Sequence, residues 1–231
     1  MKKQILLCFV LTILLGATQL SAQKPFAGTI TYELSAENTD DANIISQFAG
    51  QTKDVIILNN CTKTLADMQG ISIIAISNGD YKSGYQVIAI PGYGKYYTEL
   101  TEADYKEAFE TSKFDYEYTE ETKEIAGYQC KKVNVKVTDL ETDEEETVVV
   151  WVSNDLVVGD NINFSTMPGL KGFPLRTESV TDVQGSTFTY VETATVVKPS
   201  KKVKAADFYL PSDAVNFKDA PDDLKQQLGI E

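Results

Sequence analysis

Apolar and polar residues alternate along much of the chain after residue 25. From Phe26 to Leu34, most even-numbered positions are large and apolar, and the positions between them are polar or small. The same alternation recurs at residues 114–118 and 132–137. A period of two predicts β-strands that bury one face and expose the other.

Four further stretches are predominantly apolar at consecutive positions. They are residues 55–58, 71–76, 87–90 and 148–152. Strands that are apolar on both faces need cover on both sides, so we expect helices or a second apolar layer against them. Turn-forming pairs such as Asn78-Gly79 and Ala126-Gly127 separate the predicted strands at hairpin spacing. The sequence therefore predicts antiparallel, meander-like connections.

Helical patterns are few and short. Capping residues followed by apolar residues on one face of a helix predict two helices, and acidic residues with a proline open a third near the end of the chain. The expected starts are Thr39 or Asp40, Thr101 with Asp104, and Asp219 to Asp223. These helices are predicted to lie against the sheet.

Taken together, the patterns predict a mainly β (α+β) fold. It consists of a single curled antiparallel sheet, or half β-barrel, of about ten strands with two or three short helices. No internal repeat or long linker divides the chain, so residues 23–231 are predicted to form one domain.

The first 22 residues have the features of a secretory signal peptide. Lys2 and Lys3 precede an apolar run from Ile5 to Gly16, and cleavage is expected after Ala22. The run is too short for a permanent membrane span, which needs about 20 apolar residues. We therefore expect a periplasmic or otherwise exported protein that is soluble after cleavage and has no membrane anchor.

Charge and the lack of histidine narrow the functional classes. The chain has 34 acidic and 21 basic residues and no histidine. Its net charge of −13 argues against nucleic acid as a partner, because nucleic-acid binding needs a positive surface. Without histidine, Ser-His-Asp and Cys-His catalysis and histidine-containing metal sites are excluded. We predict no catalytic residue, no metal, no cofactor and no enzymatic activity.

Two cysteines, Cys61 and Cys130, remain after signal cleavage. An oxidising compartment would allow them to form a disulfide, and two unrelated free thiols are the alternative. Alternation places Cys130 on the solvated face of its strand, with Lys132 and Asn134. Cys8 lies within the apolar run of the signal and is not read as a lipid-modified cysteine.

An acidic cluster spans residues 143–146. Carboxylates of this kind bind calcium, but the spacing of a calcium loop is missing, so we favour a solvated hairpin tip. Asn163-Phe164-Ser165 matches the pattern of a glycosylation acceptor.

Apolar residues are the stronger candidates for a binding site. A predicted helix and the region around residues 151–173 carry more large apolar side chains than a one-faced sheet would bury. The candidates are Ile44, Ile45, Phe48, Trp151, Phe164, Met167, Leu170 and Phe173. They could line a ligand cavity, or helices could seal them into an ordinary filled core.

Five short motifs resemble, in order and spacing, an exported bacterial family of unknown function that is related to the GLPGLI family. The motifs are Phe26–Tyr32, Gly94–Tyr97, Ile125–Lys132, Val150–Ser153 and Met167–Leu170. Lys171 stands where the name-giving motif would continue with an apolar residue, which favours the related family. The resemblance implies a half-open β-barrel similar to the periplasmic lipoprotein carriers, with an apolar concave face. Because it also implies bacterial export, we discount glycosylation.

The leading hypothesis is a non-catalytic periplasmic binding module that holds an acyl chain, lipid or other hydrophobic ligand in a half-barrel cavity. The alternative is a structural or protein-interaction domain of the cell envelope with a filled core.

Overall fold

The computed structural model describes residues 24–68, 70–183 and 185–227. The predicted signal peptide, residues 1–22, lies outside the described residues. None of the helices in the described ranges has the length and hydropathy needed to cross a bilayer.

Twelve strands are found in the described part of the chain, two more than the approximate number predicted. In chain order they are β1 (Ala27–Glu37), β2 (Thr52–Leu58), β3 (Cys61–Met68), β4 (Ile71–Asn78), β5 (Ser83–Ile90), β6 (Gly94–Leu100), β7 (Ser112–Ile125), β8 (Tyr128–Asp139), β9 (Glu145–Ser153), β10 (Phe173–Val183), β11 (Ser186–Pro199) and β12 (Ala214–Asn216). The mainly β fold is confirmed.

All twelve strands belong to one open sheet. Their order is β12-β6-β5-β4-β3-β2-β1-β11-β10-β9-β8-β7. Strands β2 to β6 form one antiparallel meander and β7 to β11 form another, and the β1–β11 pair joins the two. Only β12 runs parallel to its neighbour, β6.

Helix α2 (Glu102–Glu110) shows why the sheet must curl. It connects β6 to β7, which are ten positions apart in the strand order. Ten steps across a flat sheet span about 48 Å, whereas a helix of nine residues is only about 14 Å long. The two ends of the sheet therefore bend toward each other, and the sheet acquires a concave face.

The alternation predicted for the first strand defines this concave face. Gly28, Ile30, Tyr32 and Leu34 of β1 are all buried. We call the face that carries them the inner face. Residues that pair directly with these positions lie on the same face of the neighbouring strands. Val55, which lies opposite Ile30, is an example.

In the described ranges, two other α-helices accompany α2. They are α1 (Ala42–Phe48) and α3 (Asp222–Gln227). Thr101 and Asp104 form the predicted capping box at the start of α2, each bonding to the backbone N–H of the other. Helix α1 is capped by the Asp41 carboxylate, not by Thr39 or Asp40, because Asp41 reaches the N–H of Asn43.

Residues 154–172 connect β9 to β10 and cover part of the inner face; we call them the inner segment. Loops of this length without regular structure are uncommon and are usually functional. Leu156 and Ile162 of the segment join the core cluster around Ile30, and Leu170 packs in a second cluster with Val133 and Val150.

The inner segment divides the sheet into two unlike regions. The sealed half consists of β8, β9 and β10, where Val133, Val150 and Leu175 have no solvent exposure. The open half consists of β3, β4 and β5.

The apolar runs of the open half are not covered on both sides as predicted. Ile73 and Ile74, on opposite faces of β4, are both only half-buried, as is Ile88 of β5. Ile76 is buried on the outer face beside Phe208, which belongs to a 3₁₀ turn at Ala205–Phe208. Cover over these strands is therefore incomplete, although Val87 of β5 has no solvent exposure.

Candidate binding groove

A cavity of about 360 Å³ lies between the inner segment and the inner face of the sheet. We call it the inner groove. Its walls come from β1, β2, β3, β10 and β11 on one side and from the inner segment on the other. Elements that are distant in sequence therefore meet at this site, and its volume falls near the lower end of the range of small-molecule pockets, about 300–1,000 Å³.

Apolar side chains form the floor of the inner groove. Val55 and Tyr32 come from the sheet, Phe173 from the start of β10, and Ile162 and Met167 from the inner segment. Tyr32, Val55, Ile162 and Phe173 are buried, so they present fixed surfaces. Such a floor favours contact with an apolar body or chain.

A charged pair stands at one wall of the groove. The Lys53 ammonium contacts the Glu192 carboxylate, and each side chain retains only about a fifth of its exposure, 19% and 21%. Lys53 also lies over the ring of Tyr32, with Nζ 5.1 Å from the ring centre. The hydroxyl of Tyr190 donates to Glu192 Oε1 at 2.9 Å. Partial burial strengthens these contacts relative to surface pairs.

Both tyrosines of this cluster are held in the neutral form. Burial raises the pKa of Tyr32 well above its ordinary value, and the nearby Glu192 carboxylate raises it further. Burial likewise raises the pKa of Tyr190, again with a contribution from Glu192. The hydroxyl of Tyr32 donates to the carbonyl of Pro174 at 2.7 Å. These phenols act as hydrogen-bond donors at neutral pH, not as bases.

Hydroxyl groups line the wall of the groove nearest the open half. Thr62 Oγ1 and Ser77 Oγ are 2.6 Å apart, and Ser165 of the inner segment donates to Ser77 at 3.4 Å. Thr64 and Thr177 also line the cavity. The groove is thus apolar on its floor and polar on its walls, a combination that suits an amphipathic ligand.

The inner segment is fixed by polar contacts at both of its ends. Buried Asn163 donates to the carbonyls of Leu170 at 3.2 Å and Gly172 at 2.9 Å. At the other end, the Gly159 N–H donates to the Asn59 carbonyl in the β2–β3 turn at 3.2 Å, and a Cβ atom on Gly159 would come within 1.9 Å of Asn60 Oδ1. Because its amide is buried and bonded, Asn163 is not presented as a glycosylation acceptor.

Two of the predicted site residues, Met167 and Phe173, line the inner groove. Leu170 is instead buried in the sealed half. Phe164 contacts Tyr105 of α2, with ring centres 4.9 Å apart, and lines a different groove beside that helix. The four inner-segment and β10 candidates are therefore divided among three environments.

Trp151 lies on the outer face of β9, on the other side of the sheet from the groove. Its indole N–H donates to Glu178 at 3.2 Å, and Lys123 Nζ lies 5.8 Å from its ring centre. Residues 148–152 are apolar at consecutive positions, so the sequence does not show which of them face the groove. Strand alternation with the buried Val150 places Trp151 outside.

The three predicted site residues of α1 are also not among the residues that line the inner groove. Ile44 is buried and Ile45 is exposed. Phe48 contacts Tyr190, with ring centres 5.4 Å apart, and so approaches the charged pair through that tyrosine.

Sequence analysis did not identify Lys53 and Glu192, the charged residues of the groove, or Tyr190, which bonds to Glu192. Each lies in a strand whose register alone brings it to the inner face, and Lys53 and Glu192 are 139 positions apart. A charged residue on the apolar side of an alternating strand is the signal that could have found them.

Both cysteines are free thiols. Five strands separate β3, which carries Cys61, from β8, which carries Cys130. Cys130 is fully buried beside Ile125 and Leu175, so its predicted position on a solvated face is wrong. Strand β8 keeps its register with β9 through Lys131, so Cys130 is buried by the residues that pack against it and not by a change of face; Trp151 packs against the same cluster. Burial raises the pKa of the Cys130 thiol to about 11.

The acidic cluster at residues 143–146 forms the β8–β9 turn and the first residues of β9. Asp139 closes the turn by accepting from the N–H groups of Glu141 and Thr142. Lys136 pairs with Glu145 at 2.6 Å. Across residues 24–68, 70–183 and 185–227, no group of three or more potential metal ligands comes together.

No protein-family model matches the chain, and no curated protein matches it in sequence. The solved structures that match include PNGF-II, which is 20% identical and aligns over 89% of this chain with a TM-score of 0.51. The match covers 33% of the PNGF-II chain, so this chain spans about a third of the length of that protein. At this identity the likeness concerns the fold alone.

Proposed function

We propose that this protein is an exported, non-catalytic binding module whose inner groove holds an amphipathic ligand with an acyl-like apolar part. The single observation that carries the proposal is the inner groove itself: a preformed cavity with an apolar floor and a partly buried Lys53–Glu192 pair at its wall. The resemblance to the half-barrel carriers supports the same proposal.

The apolar part of the ligand is placed against Val55, Phe173 and Met167. These side chains face a space that the sheet and the inner segment leave unfilled. Transfer of an apolar chain from water into such a space is favourable by about 0.8 kcal/mol per buried CH₂ group. A ligand of a few carbon atoms would therefore gain measurable affinity.

The polar end of the ligand is placed beside Lys53. Its ammonium already has a carboxylate partner, so a ligand carboxylate or phosphate would share that ammonium and accept from the hydroxyls of Thr62 or Thr64. Lys53, Thr62 and Thr64 lie on the neighbouring strands β2 and β3, and all three line the cavity. Charge-assisted hydrogen bonds of this type fix orientation more than they add affinity.

The chemistry of the groove supports binding over catalysis. Its phenols are held protonated, and its only carboxylate, Glu192, is engaged by Lys53 and Tyr190. Of the side chains that line the groove, none pairs a nucleophile with a base that could activate it.

Native mass spectrometry of protein purified from its own host, followed by solvent extraction, tests the proposal. We expect an added mass that disappears on extraction and corresponds to an amphiphile in the extract. A matched pair of variants on one strand provides the control. Thr64→Trp fills the groove, and Leu65→Trp places the same side chain on the opposite face of β3.

We expect Thr64→Trp to lose the added mass and Leu65→Trp to retain it. A wild-type protein that carries no ligand from its host, or an equal ligand content in both variants, would contradict the proposal.

A further inference from the structure

Strand β7 ends the sheet and leaves one of its edges unpaired. Among the described residues, β8 is its only strand partner, and no backbone hydrogen bond is made on its other side. Residues 113–118 pair regularly with β8 until the bulge that follows Tyr118; we call them the edge segment. Every second residue of such a strand directs its N–H and C=O groups outward. The other end of the sheet differs, because β12 pairs with β6 there.

An apolar groove adjoins the inner side of the edge segment. It has a volume of about 410 Å³ and lies between α2 and the inner segment, with Tyr105, Phe109 and Phe164 among its walls. Phe109 contacts Phe114 of the edge segment, with ring centres 5.6 Å apart. Pro168, which also lines the groove, accepts a hydrogen bond from Tyr116 at 3.0 Å. The unpaired edge and the groove are therefore parts of one surface.

The opposite face of β7 is acidic. The strand has five acidic and two basic residues. Within the edge segment, Lys113, Asp115 and Glu117 alternate with Phe114, Tyr116 and Tyr118 and so face outward. Lys113 pairs with Asp115 at 2.6 Å, so the segment carries a net charge of −1. A strand added at this edge would have its own outer side chains beside those carboxylates and its inner side chains beside the aromatic residues and the groove.

In the register centred on Tyr116, the same charges disfavour a second copy of this chain as the occupant. Antiparallel pairing of two edge segments centred on Tyr116 would place Asp115 of each copy opposite Glu117 of the other. Like charges directly opposite each other destabilise a strand pair, whereas opposite charges stabilise it. A register centred on Phe114 would instead place Lys113 of each copy opposite Asp115 of the other. A strand whose charged residues are all basic meets both carboxylates with opposite charge.

We propose that the edge segment and the adjoining groove form a docking site for an extended segment of a partner protein that alternates basic and apolar residues. Its backbone extends the sheet beyond β7, its basic side chains pair with Asp115 and Glu117, and an apolar side chain enters the groove beside Phe109. Backbone bonds supply affinity, and the alternating side chains supply specificity. This proposal is independent of a ligand in the inner groove.

The test uses a synthetic peptide of roughly eight residues, a common strand length, in which lysine alternates with valine. Two control peptides are a glutamate–valine alternation and a peptide of the same composition with its lysines grouped at one end. Calorimetry gives the affinities, and NMR amide exchange of the full chain locates the contact. We expect only the alternating basic peptide to bind and to slow exchange of alternate amides in residues 113–118.

Two charge-matched variants sharpen the test. Asp115→Lys/Glu117→Lys is expected to weaken peptide binding about tenfold, because two opposite-charge pairs become like-charge pairs. Glu33→Lys/Asp40→Lys makes the same change of net charge at exposed positions on and after β1, which four strands separate from β7, and should leave binding unchanged.

Four results would overturn the proposal. They are no binding of the alternating basic peptide, equal binding of either control peptide, unchanged amide exchange in the edge segment, and equal weakening by both double variants.

Discussion

The sealed and open halves of the sheet are built from similar apolar strands but differ in what covers them. In the sealed half, Val133 and Val150 face Leu170 of the inner segment and lose all contact with solvent. In the open half, Ile73 and Ile88 occupy comparable inner positions and remain half-buried. The strands are alike in composition, so the position of a single loop sets the difference.

This difference separates stability from function. Fully buried side chains contribute most to the free energy of unfolding, whereas half-exposed ones leave room for another molecule. The inner groove lies at the boundary, where the inner segment leaves the sheet near Thr62 and Thr64. The following predictions test how sharply the two halves differ.

Shortening one leucine in each half should give the largest contrast. Leu170→Ala is expected to lower the free energy of unfolding by about 2–5 kcal/mol, because the side chain is buried and leaves a cavity. Leu65→Ala in β3 should cost only about 1 kcal/mol, because that side chain is half-buried. Urea unfolding measures both. Equal losses of unfolding free energy in the two variants would show that the two halves do not differ in packing.

Removing the amide that fixes the inner segment should have the next largest effect. Asn163→Ala leaves the carbonyls of Leu170 and Gly172 without their donor. A loss of about 1–3 kcal/mol is expected. Limited proteolysis should then cut within residues 154–172 sooner than in the wild type. A variant of unchanged stability and cleavage pattern would mean that these bonds do not hold the segment on the sheet.

Tyr116 links the sealed half to the inner segment in a way that depends on pH. Burial raises its pKa from 10.0 to about 12. A raised pKa favours the protonated form in the folded state, so its contribution is present below about pH 10 and is lost as pH rises toward about 12.

Tyr116→Phe removes the hydrogen bond to Pro168 and should cost about 1 kcal/mol at neutral pH. The difference in free energy of unfolding between wild type and variant should disappear between about pH 10 and about pH 12. Urea unfolding at several pH values measures it. A gap that stays constant across this range would refute the assignment of the alkaline loss to Tyr116.

A polar substitution in the open half should have the smallest effect. Ile74 of β4 is half-buried on the outer face, so Ile74→Thr is expected to change the free energy of unfolding by less than about 1 kcal/mol. Thermal unfolding followed by circular dichroism is sufficient to measure it. A much larger loss would indicate that this strand is covered in solution.

The sequence predicted the fold class and much of the local structure. Period-two alternation in Phe26–Leu34 correctly indicated a strand with one buried face, and the capping box at Thr101 correctly indicated the start of α2. These features are local, because each depends on residues a few positions apart. The count of about ten strands fell short of twelve, and short pieces such as β12 carry too little pattern to be recognised.

The groove was harder to predict because strand register creates it. Lys53 and Glu192 meet only when β2, β1 and β11 are paired in their observed register. Residues 148–152 are apolar on both faces, so the sequence pattern did not show that Trp151 lies on the outer face. Burial of Cys130 depends on packing against Ile125 of β7 and Leu175 of β10, which alternation within β8 does not reveal.

Titration with a dansyl-labelled fatty acid, followed by fluorescence, tests the central claim most directly, because the label responds to an apolar environment. Wild type and Leu65→Trp are predicted to bind the probe with equal affinity, and Thr64→Trp is predicted to bind about tenfold more weakly or not at all, since its indole occupies the inner groove. Equal affinity of all three proteins, or no binding to the wild type, would contradict the assignment of the inner groove as a ligand site.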